Sequence, residues 1–171
     1  MMKTTMIEAV GGGECVAIVE VDGREKFSGD VVDTISRMER KIFPKHESIA
    51  RSLHEEVKKK SNGLLCARSD GGEVIGYVMY SWISSLCASI TKLAVKENHR
   101  KQGHGESLMK AAISKCRTRN IYRISLHVDP SRTAAMSLYS KLGFQIDTLI
   151  QCYYSPDRNA YRMFLEFTDR N

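Results

Sequence analysis

Apolar residues recur along this chain in two rhythms, one of about two residues and one of about 3.6, and the switches between them mark out elements. Cys15 to Val21, rich in Val and Ile, predicts a first strand. Val32, Ile35 and Met38/Glu39 then fall at helical spacing, which predicts a helix from a Ser28 cap to about Lys41. Pro44 breaks the chain before a second predicted helix, about Glu47 to Lys60, so the two form a hairpin with a short elbow.

Leu64 to Arg68 and Val74 to Trp82 predict two strands joined by Asp70-Gly71-Gly72, whose glycines suit a tight turn, and Ser89 to Val95 predicts a third. Leu108, Met109, Ala112, Ile113 and Cys116 line one face of a helix from about Gly103 to Thr118, a stripe read as core. Ile124, Leu126 and Val128 alternate with Ser125 and His127 as in a strand. Ala135, Leu138, Tyr139 and Leu142 then mark a short helix ended by Gly143. Strands from about Phe144 to Tyr154 and Ala160 to Phe167 finish the chain. The order β-α-α-β-β-β-α-β-α-β-β is that of an α/β protein of α+β type, a mixed sheet flanked by helices. With no repeat and no internal linker, the expectation is one domain over 14–168 behind a flexible lead-in, 1–13, that contains Gly11-Gly12-Gly13.

Composition narrows the partners. Lys plus Arg number 26 against 20 Asp plus Glu, and the net charge of +6 favours an anionic partner such as a phosphorylated cofactor, an acidic protein surface or nucleic acid. The charges are spread from Lys3 to Arg170, and the densest run, Lys58-Lys59-Lys60, suits the end of a helix, so nucleic acid is not the expected partner. Five scattered cysteines without a C-x-x-C pair fit neither a disulfide framework nor a zinc site, so no metal is expected and the thiols read as reduced in a cytoplasmic or nuclear setting. No segment has the length and apolarity of a membrane span or secretory core, and no membrane partner is expected.

The chemistry gathers in one loop. Arg100-Lys101-Gln102-Gly103-His104-Gly105 lies between a predicted strand end and the start of the long helix, where unpaired N–H groups and a partial positive charge favour an anion. The two glycines let a ligand approach the backbone, and Arg100 and Lys101 add charge. The loop is neither a Walker A sequence, lacking the terminal Lys-Ser/Thr, nor a G-x-G-x-x-G fingerprint.

The tract Ile90-Thr91-Lys92-Leu93-Ala94-Val95, then Arg-Lys-Gln-Gly-His-Gly, then an amphipathic helix resembles the Q/R-x-x-G-x-G/A cofactor motif of the GNAT superfamily of N-acetyltransferases. Downstream, Ile124 to Val128, Ala134-Ala135, Leu138-Tyr139, Leu142-Gly143-Phe144 and Tyr153-Tyr154 through Met163 are similar to protein N-terminal acetyltransferases. The likeness is tight from about Ser89 to Met163 and loose before it. It implies a mainly antiparallel sheet of about seven strands with about four helices, acetyl-CoA as cofactor, and a pyrophosphate on residues 100 to 105. It also implies that pantetheine lies beside Leu93, Ala94 and Val95 where that strand splays from the next, with an N–H near Leu93 polarising the thioester carbonyl.

Amine acetylation needs a neutral amine and a proton for the departing thiolate. The resemblance makes Tyr139 the general acid. His127 is the natural base because imidazole titrates near neutrality, and its Leu-His-Val setting matches a subset of N-terminal acetyltransferases. A buried core tyrosine and a structural strand histidine are the plain alternatives. The resemblance places Tyr153 and Tyr154 at the backbone of a substrate N-terminus and makes the elbow, with Phe43 and Glu47, one wall of the acceptor groove. Two departures stand out: Arg132 occupies the place of a cofactor-contacting asparagine, and Ser89 that of a catalytic tyrosine in one subgroup, which shifts a base role toward His127.

The expectation is therefore an acetyltransferase that moves acetyl from acetyl-CoA to a protein N-terminal α-amine by direct attack in a ternary complex, with room for an auxiliary subunit. Lysine acetylation (histones included) and small-amine or polyamine acetylation are the alternatives within the class. A non-catalytic acyl-CoA-binding module is the alternative outside it.

Overall fold

The computed structural model describes residues 15–26 and 28–168; the expected lead-in, 1–13, lies outside them. Seven strands form one sheet in the order β1-β2-β3-β4-β5-β7-β6, with four α-helices among the described residues. In chain order these are β1 (Val16–Glu20), α1 (Gly29–Ile42), α2 (Leu53–Glu56), β2 (Asn62–Ser69), β3 (Val74–Trp82), β4 (Cys87–Val95), α3 (His104–Thr118), β5 (Arg123–Val128), α4 (Thr133–Lys141), β6 (Gln145–Ser155) and β7 (Arg158–Glu166). β1 pairs with β2, β5 with β7 and β6 with β7 antiparallel, whereas β4 and β5 run parallel. The mixed, mainly antiparallel sheet expected from the sequence is the one observed.

Residue contacts divide the described chain into two compact units: residues up to Tyr80 with Lys92–Ala112, and Ser81–Thr91 with those from Ile113 onward. The first has its own core. Val31, Val32, Ile35 and Met38 of α1 meet Leu53, Leu64, Cys66, Tyr77 and Ala94 there, with Ile42, Phe43 and Ile49 packed against its margin. In the second, the inward positions of β5, Ile124, Leu126 and Val128, are buried, as are Tyr139, Phe144 and Met163. The alternation read from the sequence of β5 is that of its burial.

Two local expectations fail. The second helix is a single turn, Leu53–Glu56, in place of a helix over residues 47–60. Beyond Val57, whose N–H bonds to Leu53 in helical fashion, the Lys58 and Lys59 N–H groups reach back only three residues, and the Asn62 amide takes the Glu56 carbonyl at 3.0 Å. Side-chain capture thus stops a stretch whose composition favours helix. Ser28 precedes α1 but does not cap it: its hydroxyl donates to the Glu25 carbonyl at 2.8 Å and its backbone is already helical.

Candidate active site

The first unit carries the loop 100–105, expected to meet an anion. The end of β4 is pinned where the Lys96 N–H donates to the Ile75 carbonyl of β3 at 2.9 Å. A 3-10 turn, Glu97–His99, and extended Arg100 lead to Lys101 at φ 59° and Gly103 at φ 84°. Left-handed residues of this kind occur in the backbone concavities that bind anions. The first helical bond of α3 runs from Ser107 N–H to Gly103 O, 3.0 Å, so the N–H groups of its first turn point out of the helix end, next to the loop.

Space and charge agree with backbone. Gly103 is exposed, and a Cβ placed on it would meet nothing within 4 Å. Arg100 and Lys101 are exposed, Arg100 being anchored by its Nε on the Val95 carbonyl at 3.0 Å. Gln102 reaches the Asn98 carbonyl at 3.4 Å. Lys96 is drawn off the loop by Glu73 at 2.9 Å, and the same carboxylate stands 3.9 Å from His99. His104 and Gly105 open α3 and are partly buried. Behind the loop, a Cβ on Gly76 of β3 would lie 2.7 Å from the Ala94 carbonyl, so β3 and β4 approach as closely as they do only because Gly76 lacks one. Leu93 and Val95 are half-buried and Ala94 is buried. These residues fit a pyrophosphate held by backbone N–H groups and two fixed cations.

The elbow lies in the same unit. Phe43 closes α1 through its N–H to the Glu39 carbonyl, and the Glu47 and Ser48 N–H groups both turn back to the Pro44 carbonyl at 2.9 Å. Phe43 packs on the core margin, and the Glu47 side chain is only 9% exposed, with Oε1 3.4 Å from His46 Nε2. Sequence reasoning missed two neighbours of this elbow. Glu39, on the apolar face of α1, is completely buried, and Lys92 of β4 reaches across to the Glu47 carbonyl. The signal was a carboxylate at an apolar helical position.

The second unit carries the proposed proton-transfer groups. In the β5–β7 register His127 stands opposite Arg162. The imidazole stacks on Tyr153 with centroids 4.6 Å apart and planes 10° from parallel, and Tyr154 meets Tyr153 edge-on at 4.8 Å. Burial first, and the Arg162 charge second, lower the His127 pKa below its ordinary value, so the ring is neutral and able to accept a proton at neutral pH. Tyr139, on α4, is 8% exposed and packs against Phe144 at 6.0 Å. Burial raises its pKa to about 12 against a smaller opposing effect of Arg132, so the hydroxyl keeps its proton. Arg132 itself stands at the N-cap of α4.

Asp129, unremarked in the sequence, organises the turn after β5. It accepts from the Ser131 N–H and hydroxyl at 2.9 and 2.7 Å and from Arg158 Nε at 3.0 Å, which ties the approach to α4 to the start of β7. Ser89 stands opposite Ser125 in the β4–β5 ladder. That ladder runs from Cys87↔Arg123 to Ile90↔Leu126, while β4 continues to Val95 and β5 to Val128. Further along the His127 face a cavity of about 260 Å³ is lined by Ser125, Arg123, Arg162 and Asp147, among others.

A mixed seven-stranded sheet in which β4 runs parallel to β5, followed after β4 by a left-handed loop and the N-terminus of α3, defines the class of fold. The chain belongs to the acetyltransferase (GNAT) family, whose model matches residues 30–144. It is 31% identical over 144 residues to an N-alpha-acetyltransferase of Sulfolobus acidocaldarius, covering 77% of this chain and 84% of that protein. It is 36% identical over 107 residues to the N-terminal acetyltransferase A complex catalytic subunit NAA10 of Arabidopsis thaliana, covering 58% and 55%. Arabidopsis thaliana NAA60 in complex with acetyl-CoA superposes with a TM-score of 0.76 at 15% identity, over 90% of this chain and 99% of that one. The protein is an acetyl-CoA-dependent N-acetyltransferase. No described helix is long and apolar enough to cross a membrane, and no group of three or more potential metal ligands occurs among the described residues.

Proposed function

We propose that this enzyme acetylates the α-amine of protein N-termini, within one catalytic domain spanning 14–168. The observation that carries the reading is the aromatic cluster of the second unit: a neutral imidazole stacked on Tyr153, with Tyr154 set edge-on beside it. Such a cluster offers flat surfaces and hydroxyls for a peptide backbone next to a proton acceptor. The names of the Sulfolobus and Arabidopsis relatives support the same acceptor class.

In this reading Arg100, Lys101, Gln102, Gly103, His104 and Gly105 hold the pyrophosphate of acetyl-CoA, which supplies the activated acyl group. The half of β4 beyond its last β5 partner, Leu93, Ala94 and Val95, would hold the pantetheine, and the Leu93 N–H would stabilise the charge that develops on the acyl oxygen. Arg132 sits by Tyr139 in place of a neutral cofactor contact. His127 takes the ammonium proton of the acceptor, directly or through water, and Tyr139 gives its proton to the thiolate. Phe43 and Glu47 line the acceptor's path in the first unit, and Tyr153 and Tyr154 meet the acceptor backbone in the second. A cytoplasmic setting and an auxiliary subunit, as for the NAA10 relative named as part of a complex, belong to the same proposal.

The test is a panel of acceptors with acetyl-CoA: N-terminal peptides, the same peptides blocked at the α-amine but carrying lysine, and polyamines. Acetylation of the free N-terminal peptides alone, mapped by mass spectrometry to the α-nitrogen, is expected. Turnover of lysine side chains or polyamines in preference would replace the acceptor and keep the enzyme. Binding of acetyl-CoA with no turnover of any amine would leave only an acyl-CoA-binding module.

A further inference from the structure

A carboxylate without solvent on the core face of a helix is costly unless its charge and lone pairs are answered. Glu39 of α1 is answered from three sides. The Tyr77 hydroxyl of β3 donates to Oε1, the Ile49 N–H donates to Oε2 at 3.1 Å, and Lys92 Nζ stands 4.0 Å from Oε2. Lys92, with its side chain 14% exposed, also donates to the Glu47 carbonyl at 2.6 Å and places its ammonium 3.9 Å from the centroid of the Phe43 ring. One cation and one carboxylate therefore grip Phe43, Glu47 and Ile49, all within the stretch between α1 and α2 that has no regular structure of its own.

The other end of this grip is β4. Lys92 directly precedes Leu93, and Tyr77 stands one residue after Gly76, where a Cβ would lie 2.7 Å from the Ala94 carbonyl of β4. Ridges of apolar packing would hold the elbow only loosely, because Phe43 and Ile49 sit at the core margin rather than within it. The polar contacts set its direction: a short hydrogen bond to a backbone carbonyl and a cation on a ring face are both geometrically demanding.

We propose that Lys92 is a positioning residue for the acceptor: with Glu39 as its counter-charge, it fixes the Phe43–Glu47 elbow to the strand that presents the acyl group. The inference rests on the reading that this elbow walls the acceptor groove. Its consequence is a division of labour along one strand, in which residues 93 to 95 serve acetyl-CoA and the preceding side chain serves the amine. Lys92 touches neither substrate's reacting atoms; it acts through Phe43 and the Glu47 backbone.

The test compares wild type with Lys92→Met, Lys92→Arg and the double variant Glu39→Gln/Lys92→Met. It uses steady-state kinetics on whichever acceptor wild type acetylates best, amide hydrogen exchange, and thermal melting. Loss of a charge-assisted bond and a ring contact is expected to raise the acceptor KM about tenfold in Lys92→Met, with acetyl-CoA KM within about twofold. Exchange at Glu47, Ser48 and Ile49 should quicken by about tenfold or more. The double variant leaves no uncompensated buried charge, so its melting temperature should recover while its acceptor KM stays raised, a split that a merely structural pair would not give. Lys92→Arg, which keeps cation and donor, should restore most of the acceptor affinity.

An unchanged acceptor KM in the folded double variant overturns the proposal. So does a parallel rise in both KM values, or unaltered exchange across the elbow. If wild type instead prefers a lysine or polyamine, the N-terminal reading falls and these same measurements still decide the role of Lys92. If wild type turns over no amine, the exchange data alone decide whether Lys92 fixes the elbow.

Discussion

The loop 100–105 and the elbow, 43–49, belong to the same compact unit, yet they are held in opposite ways. The loop is shaped by its own backbone: left-handed Lys101 and Gly103, a helix beginning immediately after, and one short tether from Arg100 to Val95. The elbow is shaped by side chains distant in sequence, Glu39 on one side and Tyr77 and Lys92 far downstream. On the proposed roles, a cofactor common to many enzymes is met by a local, self-contained device, and an acceptor particular to one enzyme by a segment whose course is adjusted from outside.

The comparison predicts that damage to the two regions will separate kinetically, with the proposed proton-transfer groups of the second unit as the reference. His127→Ala and Tyr139→Phe should lower kcat by about 10²-fold or more while leaving acetyl-CoA affinity, measured by calorimetry, nearly intact. A fall confined to KM would remove both from the chemistry. Next, Gly103→Val forces a β-branched residue to φ 84° and should raise acetyl-CoA KM by roughly tenfold or more, since left-handed backbone costs even an ordinary residue about 1–2 kcal/mol. The acceptor KM should stay near wild type.

Arg100→Ala and Lys101→Ala should raise KM for acetyl-CoA about fivefold, yet leave KM for S-acetylpantetheine, which has no pyrophosphate, unchanged. Equal effects on both would mean that these cations shape the loop without meeting phosphate. Phe43→Ala is the mirror experiment, with a rise of several-fold expected in acceptor KM alone.

The smallest effect concerns pH. Because the folded state lowers the His127 pKa, kcat at saturating acceptor should climb with an apparent pKa below His127's ordinary value of 6.5 and then hold level. Tyr139, raised to about 12, adds no alkaline fall up to about pH 10. His127→Gln should abolish the acid limb; a limb surviving in that variant would assign it to another group.

Legibility followed the range of the interactions. Strand β4, the loop and α3 are contiguous, and their hydrophobic rhythm, glycines and basic pair stand in one stretch of chain, so the fold and the proposed phosphate site could be read together. The alternation around His127 was equally plain. The second helix was misread because residues 47–60 have the composition of a helix, whereas Glu39 takes the Ile49 N–H, the Ser48 hydroxyl takes that of Ala50, and Asn62 closes the Glu56 carbonyl. None of these captures is periodic. Glu39 did carry a trace, a charge on an apolar face, but nothing nearby pointed to Lys92.

By itself, then, the sequence determined the strand and helix order, the class of fold and the glycine-bearing basic loop that leads into α3, because each depends on neighbours within a few residues. The tertiary structure decided how far the elbow departs from helix, which cation holds it, and that His127 stands neutral against Tyr153. Those outcomes depend on burial and on partners tens of residues apart, brought together only when the chain has packed.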